Sequence, residues 1–178
     1  MTSESERTLL LRIARDAIAA HVGGGAAPRV ALTGVLAREG GAFVTLTIET
    51  HLRGCIGHIG RDEPLGFVIP RCAVAACSSD PRFDPVTAAE VPCLALEISL
   101  LEPLEPIAEA GDVTVGRHGL VVERGGRRGL LLPQVATDWG WDAETFLAET
   151  CHKAGLHRDA WKHGATLWRF EADVFGEP

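Results

Sequence analysis

Apolar residues recur at helical spacing through the opening segment "SESERTLLLRIARDAIAAHVGGG", with Leu10, Ile13, Ala14, Ala17 and Ile18 on one face. Ser3 or Ser5 suits the start of that helix and Gly23 to Gly25 its end. The period then changes. Val35 to Ile48, with Gly40-Gly41 in the middle, reads as a hairpin, although Phe43, Leu46 and Ile48 alternate imperfectly. "DEPLGFVIPRCAVAACSSD" returns to helical character, with Pro64 suited to the first turn. Pro70 is expected to kink or divide that helix, because proline removes an amide donor and clashes with the preceding turn. "DPRFDPVTAAEVP" is proline-punctuated loop, and Leu94 to Leu101 reads as a strand. "GRHGLVVERGGRRGLLLP" is a hairpin turning at Gly125-Gly126. "WDAETFLAETCHKAGL" is a helix that Asp142 caps and Gly155 ends, with Leu147, Cys151 and Ala154 on one face. "ATLWRFEADVFGEP" reads as a closing strand. Hairpins with helices that do not alternate strictly between them predict an α+β fold, a mainly antiparallel sheet with flanking helices.

Composition agrees with a globular chain. The 178 residues, 46% hydrophobic and 23% charged, suit a single domain over 1–178, or one with a small subdomain. No apolar run approaches the ~20 residues of a membrane span. The first residues carry acids ahead of the apolar run and lack a basic segment, so a cytoplasmic protein is expected. The net charge is −7. Basic residues cluster only at Arg124, Arg127 and Arg128, in a hairpin tip, so nucleic-acid binding, which needs an extended basic surface, is disfavoured. Five cysteines, an odd count, argue for reduced thiols.

The segment with the most chemistry is "LRGCIG", Leu52 to Gly57. If it is extended, Arg53 and Cys55 share one face, and Leu52, Gly54 and Ile56 the other. Arg53 would then lie ~6.6 Å along the strand from Cys55. A guanidinium at that range favours a thiolate by up to ~2.5 kcal/mol at an effective dielectric of 20. Gly54 and Gly57 leave room beside the thiol and allow backbone amides to turn toward an anion. The structural alternative is a bulge, with Cys55 packed as a small hydrophobe.

Other groups have two readings each. In "SSDPRFDP", Asp80 is placed to orient Arg53, and Arg82 to hold a carboxylate or phosphate; a self-satisfied turn is the bland alternative. Glu97 in "LALEISL" faces solvent or the floor of a pocket under Cys55. His118 in "GRHGL" is a general base or a structural turn residue. Cys55 and His58 have C-x-x-H spacing and Cys151-His152 are adjacent, but no closed zinc set is visible and no metal is expected. Neither a phosphate-binding loop nor a dinucleotide fingerprint is present, and no cofactor is expected.

"LRGCIG", "AACSSDPRFDPV", "LEISLLEPLEPI", "GRHGLVV", "LLLPQVATDWGWDAETFLAETCHKAGL" and "LWRFEADVF" together resemble the AMMECR family, whose prokaryotic members are also called AmmeMemoRadiSam system protein A. The resemblance runs from the first helix to the C-terminus. It implies an α+β fold, and Memo-like and radical-SAM proteins as partners. It also raises the weight of the hexapeptide and of the Asp-Pro-Arg-Phe block as a site. His58 departs from the small hydroxyl residue that the family leads one to expect after the hexapeptide, and Pro70 interrupts a segment expected to be continuous helix.

Two functions of different class follow. In one, Cys55 is a nucleophile or acid–base thiol, Arg53 tunes it, His118 serves catalysis, and Gly54, Gly57, Asp80, Arg82 and Glu97 bind a small anionic or electrophilic metabolite. In the other, the same surface is a non-catalytic module that binds a partner. The first expects residues 52–57, 80–83 and 116–119 to converge.

Overall fold

The computed structural model describes residues 2–27 and 29–177, and the chain divides into two compact units, Met1–Leu101 with Asp173–Pro178, and Glu102–Ala172.

In the first unit, helix α1 (Glu4–Val22) begins at a capping box, in which the Ser3 hydroxyl accepts from the Glu6 amide and the Glu6 carboxylate from the Ser3 amide. Its apolar stripe is the expected one, and all five residues are buried. The expected hairpin from Val35 is displaced. Gly34–Ala37 forms a short 3-10 turn, and the hairpin is β1 (Ala42–Ile48) with β2 (His51–His58). It turns at Glu49-Thr50, and Glu49 takes a left-handed φ of 57°. The glycine pair mimicked a turn signal, but Gly41 is there because a Cβ would stand 2.6 Å from the His58 carbonyl oxygen.

Helix α2 (Leu65–Ser78) runs through Pro70 undivided, so of the two expected effects, a kink or a division, the division does not occur. Tertiary packing outweighs the lost amide: Val68, Ile69, Cys72, Ala73 and Ala76 are all buried against the core. Strand β3 (Leu94–Leu101) lies where expected and pairs antiparallel with β1. The closing strand divides into β7 (Thr166–Phe170) and β8 (Ala172–Gly176), which belong to different sheets. The sheet of this unit runs β2-β1-β3-β8, so β2 is an edge. Val44, Leu46, Leu96 and Ile98 face α1 and α2 to make the core.

The second unit holds β4 (Glu105–Ile107), β5 (Gly119–Arg124), β6 (Arg127–Leu131), α3 (Pro133–Trp139) and α4 (Ala143–Lys153), with β7. Its sheet runs β4-β7-β5-β6, with antiparallel pairing throughout. Gly125 and Gly126, both at positive φ, turn the β5–β6 hairpin as expected. Asp142 caps α4 by accepting from the Thr145 amide. Phe146, Leu147 and Cys151 pack into a core with Leu120, Val122 and Leu167. The chain is therefore α+β. Among the described residues, no helix is long and apolar enough to cross a membrane.

Candidate functional site

The hexapeptide lies on edge strand β2, and alternation along it is broken. Register shifts between Leu46 and Thr47: Leu46 pairs with Gly54 but Thr47 with Leu52, which leaves Arg53 without a partner across the ladder. This bulge puts Leu52, not Arg53, in the row of Cys55, and it turns the guanidinium aside. Arg53 Nε donates to Glu90 at 2.8 Å, and its Nη atoms donate to the carbonyls of Asp84 and Pro85 at 2.8 and 3.3 Å. Arg53 therefore fastens the 84–90 loop to β2, and simple alternation misplaced it.

The room expected beside the thiol is occupied as well. A Cβ on Gly54 would stand 2.1 Å from the Ala76 carbonyl oxygen, so glycine lets the backbone of α2 rest on the strand. A Cβ on Gly57 would stand 2.3 Å from the ring of Phe43. Both glycines serve close packing.

Asp80 and Arg82 explain the loop motif. The amide of Cys55 points outward from the sheet edge and donates to Asp80 Oδ2 at 2.9 Å. Arg82 Nη2 donates to the Cys55 carbonyl at 3.3 Å. The pair thus satisfies both exposed backbone groups of Cys55, as an added strand would. Asp80 is buried, and Arg82 also donates to it from its amide, Nε and Nη2, the last at 2.7 Å. The Arg82 side chain foremost, and then the Cys55 and Arg82 amides, hold the Asp80 carboxyl well below the usual carboxylate range against the opposing cost of burial. Arg82, rather than Arg53, is the guanidinium that touches Cys55.

Register builds a row across three strands. Thr45 of β1 lies opposite Cys55 on one side and Glu97 of β3 on the other. Since Cys55 turns its amide away from β1, the Thr45–Cys55 pair is of the non-hydrogen-bonded kind, in which side chains come closest. Thr45 Oγ1 donates to Cys55 Sγ at 3.4 Å. Both residues are half-buried, as is Glu97, and all three face away from α2. Glu97 makes no hydrogen bond or ion pair among the described residues. Thr45 was not singled out from sequence; the Thr45/Thr47 alternation in "FVTLTI" is the signal that marks a polar face there.

His118 belongs to the second unit. It is buried, and its Nδ1 accepts from the Thr114 amide at 2.9 Å, closing a turn. Burial first, and then the charges of Arg169 and Arg117, push its pKa down. With Nδ1 engaged as an acceptor, the neutral ring carries its proton on Nε2. It lines a cavity of about 250 Å³ with Glu105, Arg169 and Glu171.

Two carboxylates beside β2 contribute to the pH dependence. Glu90 is lowered to about 2, first by Arg53 and then by Thr87, and Asp80 is lowered further. Depressed folded-state values mean that their stabilisation is present above the ordinary carboxylate range and is lost as pH falls through the folded values. Acid titration of the unfolding midpoint is expected to show a loss that begins below about pH 4 and is flattened in Asp80→Asn. An unchanged acid limb in that variant would exclude the loop as its source.

An α+β chain with a braced thiol on a sheet edge is the class that this geometry defines. The chain matches the AMMECR1 family over residues 11–175. A protein of Methanothermobacter thermautotrophicus is 44% identical, across 98% of this chain and 96% of its own length. One from Thermofilum pendens is 40% identical, across 98% and 91%. The crystal structure of an uncharacterized protein from Pyrococcus horikoshii superposes with a TM-score of 0.85 at 40% identity, covering 95% of this chain and 90% of that one. The chain belongs to the AMMECR1 family.

Proposed function

We propose that this protein is a thiol-dependent enzyme or carrier that uses Cys55 on a small anionic or electrophilic metabolite. One observation supports it above others: Sγ accepts from Thr45, and Glu97 stands next in the same row. Attack of the thiolate on an electrophilic carbon–carbon or carbon–oxygen double bond forms a sulfur–carbon bond and opens the π bond, whose electron pair takes a proton from water. The thiol proton leaves to solvent, and the Thr45 hydroxyl, which donates to Sγ, steadies the thiolate that attacks. Arg82, more than half exposed, is the cation beside Cys55 that meets an anionic group on the ligand. Arg53 and Asp80 hold the frame. Memo-like and radical-SAM proteins, which the family resemblance implies, are the proposed partners.

A second reading, a partner-binding module, is favoured by Leu52, which is 41% exposed in the row of Cys55.

Alkylation followed by mass spectrometry separates the two. Cys55 and the exposed Cys93 are expected to react in the native protein, whereas Cys72, Cys77 and Cys151, all buried with thiol pKa values raised by burial, react after denaturation. Incubation with a metabolite extract should leave a mass adduct on Cys55, absent in Cys55→Ser and slowed severalfold in Thr45→Val. A Cys55 that stays unmodified by every extract, in a protein that still captures a Memo-like partner, supports the module instead.

A further inference from the structure

We propose that the loop joining β2 to α2 binds a divalent transition ion, with His58, Asp62 and Glu63 as its ligands. The three residues lie within six positions of one another, and one ligand atom from each falls within 4.8 Å of the others. His58 Nε2 stands 3.6 Å from Asp62 Oδ1 and 3.6 Å from Glu63 Oε1. Both gaps are too long for hydrogen bonds, which fall near ~2.9 Å. Two donors on a tetrahedral ion, each ~2.1 Å from it, stand ~3.4 Å apart. The spacing thus suits an ion between the donors better than direct ion pairing.

Two further observations point the same way. His58 Nε2 is buried and has no hydrogen-bond partner among the described residues, and an orphaned imidazole nitrogen is costly unless something occupies it. Gly60 keeps the space between donors open: a Cβ there would stand 2.4 Å from His58 Nε2 and 2.6 Å from Asp62 Oδ1.

The loop is held in shape from outside. The Gly40 amide donates to the Glu63 carbonyl and the Leu65 amide to the Arg38 carbonyl, at 3.2 and 2.9 Å. Arg71 grips both oxygens of Glu63 at 2.6 and 2.8 Å, which orients the carboxylate. Its positive charge also opposes a cation, so the affinity is that of an exchangeable site. An imidazole with two carboxylates selects zinc or cobalt over magnesium or calcium. Asp62 is open to solvent, which leaves coordination positions for water or a ligand. Two of the three donors are carboxylates, so the set lies outside the cysteine–histidine patterns of structural zinc sites. The site does not depend on the thiol reading: three residues along β2 place His58 on the other face from Cys55.

The test is a Co(II) titration of the full-length Cys55→Ser/Cys93→Ser protein, followed by visible absorption and by imidazole ¹⁵N shifts. Saturation at one equivalent is expected, without a thiolate charge-transfer band, and with the His58 Nε2 resonance displaced. His58→Gln and Gly60→Ala should each weaken binding at least tenfold while the unfolding midpoint shows the protein still folded. Zn(II) should displace the cobalt, and excess Mg(II) should not. Absence of saturable binding, or binding that His58→Gln leaves unchanged, overturns the proposal.

Discussion

Gly54→Ala is expected to destabilise the first unit by about 3 kcal/mol or more, at the upper end of over-packing substitutions. The added methyl would meet the Ala76 carbonyl oxygen at 2.1 Å, and that atom belongs to the backbone of α2. A side chain could rotate away; a helix must translate. Moving α2 disturbs Val68, Ile69, Cys72 and Ala73, each no more than 3% exposed, so the cost spreads into the core. Gly57→Ala is the informative comparison. Its methyl meets the ring of Phe43, with Cγ itself at 2.4 Å, so the whole side chain must swing about its Cα–Cβ bond, a smaller disturbance than moving a helix backbone. Urea unfolding of both variants measures the difference. Equal losses would mean that α2 does not rest on β2 at Gly54.

Asp80→Ala is expected to lose about 2–3 kcal/mol. The carboxylate accepts from the Cys55 amide and from three nitrogens of Arg82, so its removal strands the Cys55 amide at a sheet edge. Arg82 is more than half exposed and regains water, which keeps the loss below that of a fully buried pair. Asp80→Asn keeps one acceptor oxygen and should recover part of the stability. Asp80→Ala should also exchange the Cys55 amide hydrogen faster, because its partner is gone. A wild-type midpoint in Asp80→Ala would show that the pair contributes nothing net. Unchanged exchange at Cys55 would show that Asp80 does not brace the strand.

Local signals in the chain were sufficient for much of the architecture. The capped stripe of α1, strand β3, the Gly125-Gly126 turn and the Asp142-capped α4 all appear where pattern and capping chemistry place them. Each is decided by neighbours within a few residues. The buried Cys151 followed in the same way from the helical face that it shares with Leu147 and Ala154. The family, too, was legible, because its blocks lie in order along the sequence. Gly40-Gly41 and Pro70 misled because both resemble local breaks, whereas non-local packing governs them.

The site shows the boundary most clearly. The sequence by itself marked Cys55, Asp80, Arg82 and Glu97 as chemistry close to the hexapeptide or in a rigid loop. It did not reveal that Arg53 is the extra residue of a bulge, since a shift in register is set by the partner strand and not by β2. Nor did it reveal Thr45, ten residues from Cys55 in the chain and in contact with its sulfur across the ladder. Composition and periodicity report what each residue prefers around its own backbone. Which thiol meets which hydroxyl, and which arginine reaches which carboxylate, depends on contacts between distant segments, and only the folded sheet and the helix packed on it decide those.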